Sequence, residues 1–297
     1  MITSRLCTGI VSLLMVVELL GCQDHSTGVT PGPDRLRVKT ITQQLTGSAS
    51  VSAVSAFSYD GQGRLSSIVA YRMPDSTVAP VENTVYQYDT QDRLIQVQHS
   101  EVRRGANSET YTLTYNAAGQ LTQLSHLPST FSLTFQYNSA NQPSGYSRGI
   151  GVGGLRASGG GSFTFAGNNL MSVSEDFKVF RSGESAAAPP AYYRLTSTTY
   201  TFDDKLDPFY GVFIIPAPGV FLPFASSPGA LSPFYMLYGG IDNTLNLSQN
   251  NVLSAVSSNG TTTQYSYTYN AANLPASRTT TLNSVVTEVL RFGYESY

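Results

Sequence analysis

Tryptophan is missing from this 297-residue chain, and cysteine and histidine nearly so, with two and three copies. Two Cys cannot build a disulfide framework or a Cys-based metal site. Three His leave little material for a catalytic metal centre. Charge is scarce as well, since Lys, Arg, Asp and Glu make up 12% of the chain, half of the usual ~25%. The formal net charge of −2 lacks the basic excess of a nucleic-acid surface, so no nucleic acid is expected as a partner. Water solubility rests instead on 37 Ser, 30 Thr, 15 Asn and 14 Gln. Hydrophobic residues reach 41%, with 19 Tyr and 14 Phe, which supplies a core and excludes disorder through charge.

The N-terminus carries an address. Arg5 precedes an apolar run over Val11–Leu20, broken only by Ser12 and Glu18. That run is too short to span a bilayer and fits the core of a signal peptide. It ends in Leu19-Leu20-Gly21-Cys22, which resembles the lipobox of bacterial lipoproteins. The resemblance implies cleavage before Cys22, a signal peptide over 1–21 and a lipid on the Cys22 thiol; the alternative is an ordinary secretory signal. The expected location is the bacterial cell envelope, lipid-anchored to the outer membrane, facing the periplasm or the surface. Residues 22–34 are rich in Gly, Pro, Ser and Thr without apolar periodicity, as a flexible tether is.

From residue 35 to 297 the text repeats itself, and such self-similarity governs the fold. Tyr59-Asp60-Gly-Gln-Gly-Arg64-Leu65 recurs as Tyr88-Asp89-Thr-Gln-Asp92-Arg93-Leu94 and as Tyr115-Asn116-Ala-Ala-Gly119-Gln120-Leu121. Further copies are Tyr137-Asn138-Ser-Ala-Asn141-Gln142-Pro143 and Tyr269-Asn270-Ala-Ala-Asn273-Leu274-Pro275, with weaker ones at Phe163–Leu170, Tyr200–Leu206 and Leu245–Val252. Before each clear turn the aromatics alternate, as in Tyr111-Leu113-Tyr115, which puts them on one face of a strand. The Asp or Asn bonds its own backbone two residues on, and Gly or Asn beyond it tolerates positive φ. Strand, short turn and strand make a β-hairpin.

This pattern resembles the YD repeat of bacterial surface and toxin-shell proteins, whose core is Tyr-Asp-x-x-Gly-Arg-Leu. The segment Phe202–Gly211 looks like a feature of small YD-like lipoproteins of Bacteroidota. The resemblance implies architecture and no activity. The expected fold is all-β: sequential antiparallel hairpins forming one continuous, twisted and curled sheet or a partly closed shell, with a β-propeller or barrel as alternatives. The anchor pairs Tyr59/Asp60, Tyr88/Asp89, Tyr115/Asn116, Tyr137/Asn138 and Tyr269/Asn270 are expected to be structural. Their rings would form an aromatic ladder between hairpins, each hydroxyl reaching water or a turn carbonyl.

Two segments break the rhythm. Gly149–Gly161 holds seven glycines and suggests a loop or a bent strand. Pro208–Pro233 holds six prolines among apolar residues. Prolines exclude a central strand, so an insertion over 208–240 is expected to cap an open end or edge of the sheet.

No catalytic constellation stands out, and no cofactor is expected. Gly149-x-Gly151-x-x-Gly154 matches a dinucleotide fingerprint as a string, yet the following Gly-rich text cannot open the helix that the mechanism needs. His99 and His126 occupy equivalent places in adjacent repeats, but the third His, His25, lies in the tether, which leaves a metal short of ligands. Asp203, Asp204 and Asp207 are the densest acidic cluster and a weak Ca²⁺ candidate, without the glycine and distal Glu of a calcium loop. The functional expectation is a non-catalytic structural or binding module with an envelope glycan or protein as partner. An envelope hydrolase acting on glycans or peptides is the competing class, with no carboxylate pair singled out.

Overall fold

The alternation of aromatic and polar residues produces strands throughout. The computed structural model describes residues 35–44, 52–73, 82–101, 108–127, 132–152, 155–181, 183, 188–212 and 244–297. Cys22, the signal segment, the tether and His25 lie outside them. The strands are β1 (Leu36–Gln44), β2 (Ser52–Tyr59), β3 (Leu65–Met73), β4 (Glu82–Tyr88), β5 (Leu94–Glu101), β6 (Ser108–Tyr115), β7 (Leu121–Leu127) and β8 (Ser132–Tyr137). They continue as β9 (Pro143–Val152), β10 (Leu155–Ala166), β11 (Asn169–Arg181), β12 (Tyr192–Leu206), β13 (Asn250–Ser257), β14 (Thr262–Tyr269), β15 (Pro275–Leu282) and β16 (Val285–Ser296). A 3₁₀ turn, Thr244–Leu247, precedes β13.

Each strand pairs antiparallel with its neighbours in sequence, and the ends meet. β1 pairs with β16 from Leu36 opposite Ser296 to Gln44 opposite Val289, so sixteen strands close into an up-and-down barrel. The expectation of all-β hairpin repeats holds. The open curled sheet or partly closed shell does not, nor does the propeller; the barrel alternative is the fold. Closure has a physical reason. An open meander leaves two rows of unpaired N–H and C=O groups, and a continuous right-handed twist brings those rows together. The strand that completes the ring, β1, carries no repeat signature.

Polarity alternates across the wall. Val38, Phe57, Tyr86, Val97, Leu124 and Leu133 face inward and are buried. Ser58, Gln87, Gln98, Thr112, Gln123 and Thr134 face out and are exposed. Each fully buried Leu or Phe contributes about 1.5–3 kcal/mol. The interior is further filled by the two ends of the Pro-rich insertion. The Phe209 ring lies 6.0 Å from that of Phe57, Gly211 N donates to Asn246 O at 2.9 Å, and Leu247 is buried. Pro208–Val212 thus packs inside the barrel; the rest of the expected cap, 213–240, lies outside the described residues.

The seven glycines of 149–161 sit in β9 and β10, apart from residues 153 and 154, which are not described. A Cβ on Gly161 would meet the Tyr146 ring at 2.4 Å, and one on Gly159 would meet Asp176 O at 2.2 Å. Glycine here clears space for a ring and a neighbouring backbone. An antiparallel strand, not a helix, follows Gly154, so the dinucleotide geometry is not formed.

Candidate functional site: the turn rim and mouth of the barrel

All the tight repeat turns lie at one end of the barrel, where the described chain starts at Arg35 and ends at Tyr297. Each is a three-residue loop closed by two backbone bonds. In the first, Gly63 N donates to Asp60 O at 3.0 Å and Asp60 N to Arg64 O at 2.9 Å. Asp60 Oδ1 accepts from Gln62 N and from Arg64 N, both at 2.9 Å. Asp89, Asn116, Asn138 and Asn270 do the same in their turns. The fourth position is left-handed in all five: Gly63, Asp92, Gly119, Asn141 and Asn273, as a type I turn with a following bulge requires.

The bulge explains the tyrosines. Tyr59 pairs with Leu65 but Ser58 with Ser67, which leaves Ser66 extra and the Leu65 carbonyl out of the ladder. Tyr88 Oη of the next repeat donates to that carbonyl at 2.8 Å. Tyr115 serves Leu94 O at 2.7 Å, Tyr137 serves Leu121 O at 3.0 Å and Tyr294 serves Pro275 O at 2.8 Å. Tyr59 reaches Val38 O at 2.6 Å. Tyr269 departs from the series, because its hydroxyl donates to Asp203 Oδ2.

Three of these rings also carry a guanidinium from the strand or turn before them. Arg37 lies 4.0 Å from the Tyr59 centroid, Arg64 4.5 Å from Tyr88 and Arg93 5.1 Å from Tyr115. The same arginines hold carboxylates: Arg64 Nη2 to Asp60 at 2.7 Å, Arg93 Nη2 to Asp89 at 2.7 Å, and Arg37 Nε to Glu295 at 2.8 Å. In these three places the join is arginine on tyrosine, while the Tyr269 ring stacks on Tyr267 with ring centres 6.0 Å apart. Burial raises the Tyr88 phenol to about 12, with Arg64 opposing it. Burial works to raise the Asp60 carboxyl too, but hydrogen bonds from Arg64 more than reverse it, and Asp60 ends below its usual range.

Inside this rim lies a cavity of about 380 Å³, lined by Leu36, Leu65, Leu94, Tyr86, Tyr88 and Phe209 among others. Its wall is largely apolar, and the charged groups Arg64, Arg93 and Asp92 stand at its lip. Among the described residues the buried Tyr86 hydroxyl has no hydrogen-bond partner. Such a site takes an apolar group.

The acidic cluster does not converge. Asp203 accepts from Lys205 N at 2.9 Å and from Asn251 Nδ2 at 3.3 Å, exposed Asp204 pairs with Lys205 Nζ at 3.3 Å, and Asp207 accepts from Phe209 N at 2.8 Å. Burial raises Asp207 to about 7. Among the described residues no three His, Cys, Asp or Glu are placed to hold a metal. His99 is buried, with Nδ1 2.9 Å from Thr84 Oγ1, and burial lowers it to about 4. The backbone of His126 sits opposite Tyr111 on β7, and its side chain lies outside what is described. On the far wall, Glu288 receives Arg278 Nη2 at 2.8 Å and Gln43 Nε2 at 3.0 Å, a polar cluster the sequence did not announce.

Among solved structures the chain is similar to a porin-like protein from Bacteroides uniformis, with 14% identity, TM-score 0.49, and coverage of 90% of this chain and 99% of that one. It is similar to a porin-like protein from Bacteroides vulgatus at 12% identity and TM-score 0.38, covering 89% and 100%. It also aligns with the Tc holotoxin pore of Photorhabdus luminescens at 11% identity and TM-score 0.29, covering 84% of this chain and 15% of that one. No protein-family model matches the chain, and no curated protein matches it in sequence.

Proposed function

We propose that the protein is a non-catalytic binding module of the bacterial cell envelope, held at the membrane by a lipid on Cys22, with its barrel standing in water. One observation carries this reading: the polarity of the wall. A barrel that spans a bilayer turns apolar residues outward and encloses a polar lumen. Here Phe57, Val97 and Leu133 point in, while Gln87, Gln98, Thr112 and Gln123 point out. Over β4–β7 such a wall gains nothing from lipid, so attachment falls to the N-terminal segment. The chain leaves the barrel toward that segment at the turn rim, where β1 begins.

Of the two partner classes expected from the sequence, protein is favoured over glycan. Sugar recognition would use open tyrosine faces, and at this rim Tyr59, Tyr88 and Tyr115 each carry an arginine on the ring. Fractionation of cells making the full chain or its Cys22→Ser variant tests the anchoring. The full chain should sediment with membranes and take up a palmitate analogue, and the variant should stay uncleaved at this site and unlabelled. A Cys22→Ser chain that is still labelled and membrane-bound, or purified protein that opens conductance steps in a planar bilayer, overturns the reading. Turnover of peptidoglycan or casein by the purified chain would overturn its non-catalytic part.

A further inference from the structure

The barrel wall is uneven at the end opposite the turn rim. β12 pairs with β11 from Ser172 opposite Thr199 as far as Val179 opposite Tyr192. Its pairing with β13 begins only at Thr198, opposite Ser257, because the β13–β14 turn ends the neighbour there. Ser258 closes that corner: its N–H donates to Ser197 O at 2.7 Å, and Ser197 N–H donates to Ser258 Oγ at 3.0 Å. Ser197 therefore aims its backbone groups toward the β13 side. By the two-residue period Tyr193 and Leu195 aim theirs the same way, past the end of β13. Among the described residues no strand pairs with that side of Tyr192–Thr196, an edge of about 17 Å at 3.4 Å per residue.

Among the described residues nothing blunts this edge. Natural sheets guard free edges with proline, bulges, inward charges or a covering segment. Here the edge is a regular extended strand, and its outward side chains, Tyr193 at 53% and Leu195 at 62% exposure, are open to solvent. Between them the Arg194 guanidinium has no partner among the described residues. The surrounding stretch 143–199 carries five basic residues against three acidic, in a chain whose net charge is −2.

We propose that the free edge of β12 at Tyr193–Leu195 receives an extended acidic segment of a partner protein as an added strand. Main-chain bonds to the N–H and C=O of Tyr193 and Leu195 supply the affinity, and side chains supply the choice. Apolar residues of the guest lie beside Tyr193 and Leu195 on the outer face, and alternate acidic residues face Arg194. A second copy of this chain is the poorer occupant, since antiparallel pairing of like edges sets Arg194 near its own copy. The inference rests on the reading of the protein as a non-catalytic partner-binding module, and names the surface and the chemistry of that partner.

The test uses the full chain in detergent and two capped synthetic nonapeptides, one alternating Val with Glu and one alternating Val with Lys. The Val/Glu peptide should slow amide exchange at Tyr193 and Leu195, and the Val/Lys peptide should not. Leu195→Pro removes one edge donor without breaking the β11 ladder, whose bonds belong to Tyr192, Arg194 and Thr196; it should weaken binding about tenfold, the equivalent of one such bond. Arg194→Glu keeps the backbone intact and should invert the preference between peptides. Melting curves confirm that both variants fold. Equal protection by both peptides, no protection by either, or unchanged affinity in Arg194→Glu overturns the proposal. So does a dimer that Leu195→Pro dissociates, which would give the edge to a second copy. None of these outcomes changes the fractionation of Cys22→Ser, so failure here is distinguishable from failure of the functional reading.

Discussion

The guanidinium of Arg64 holds Asp60 of its own turn at 2.7 Å and lies 4.5 Å from the ring centre of Tyr88 in the next. One side chain thus ties a hairpin to itself and to its neighbour. The Tyr88 hydroxyl completes the join by serving the Leu65 carbonyl that the bulge leaves free.

Truncation at Tyr88 separates these parts. Tyr88→Phe keeps the ring under Arg64 and orphans the carbonyl, at a cost of about 1–3 kcal/mol. Tyr88→Ala loses ring, arginine contact and packing together, and about 3–5 kcal/mol is expected. Urea unfolding of both variants checks the order. Equal costs would show that the hydroxyl, and not the ring, joins the repeats.

The turn pair is exchangeable as a unit. In the third and fourth repeats Asp and Arg become Asn and Gln, and the side chains still meet: Asn116 Nδ2 donates to Gln120 Oε1 at 2.6 Å, and Asn138 Nδ2 to Gln142 Oε1 at 3.3 Å. Writing the later pair into the first turn, Asp60→Asn with Arg64→Gln, should therefore cost less than the sum of the two single changes. The coupling should be below about 1 kcal/mol, because the pair is close to solvent. A double variant as unstable as the sum would mean that the residues act separately.

Much of this rim was legible in the sequence, because a turn is local chemistry. Asp60, Asp89 and Asn116 announce their Asx bonds by position alone, and period two announces the inward ring. What could not be read was set between repeats. The drift from Asp/Arg to Asn/Gln looks like decay in a string and is a matched replacement in space. Arg37 and Glu295, which close the ring between β1 and β16, stand 258 residues apart and carry no motif. Closure itself depends on the accumulated twist of sixteen strands, and the weak copies at Phe163–Leu170 and Tyr200–Leu206 hide how many there are. The free edge beside Arg194 follows from the unequal lengths of β12 and β13, which no repeat encodes.

Asp207 gives the barrel a pH dependence of known sign. Burial raises its carboxyl from 3.8 to about 7, with the Phe209 amide and Arg278 opposing and Asp203 adding. The folded state thus holds this proton more tightly than the unfolded chain does. Stability from it is complete below about pH 4 and is lost as pH rises to about 7. Asp207→Asn removes the dependence. Relative to the variant, the native chain should lose on the order of 2 kcal/mol between pH 4 and pH 8, a figure reduced because the residue is only half-buried. Urea midpoints at the two values decide it. Parallel profiles for native and variant would show Asp207 ionised and solvated in the fold.

The glycines of β9 and β10 separate room from flexibility. A Cβ on Gly149 meets nothing within 4 Å, one on Gly161 meets the Tyr146 ring at 2.4 Å, and one on Gly159 meets the Asp176 backbone oxygen at 2.2 Å. Gly149→Ala should be neutral or stabilising by up to about 1 kcal/mol, since alanine restricts the unfolded chain. Gly161→Ala should cost about 1–3 kcal/mol, the range of overpacked cores. The Tyr146 ring cannot simply swing aside, because it is buried, packs 5.6 Å from Phe163 and holds Glu175 through its hydroxyl. Gly159→Ala should be the worst of the three, as a paired strand has to move. A second change identifies the cause. In a Tyr146→Leu background the obstacle is gone, so Gly161→Ala should then cost less than it does alone, while Gly159→Ala should cost the same. Thermal melts of the four single variants, Tyr146→Leu included, and the two double variants measure this. Equal penalties for Gly161→Ala in both backgrounds would mean that backbone freedom, and not space for the ring, keeps glycine there.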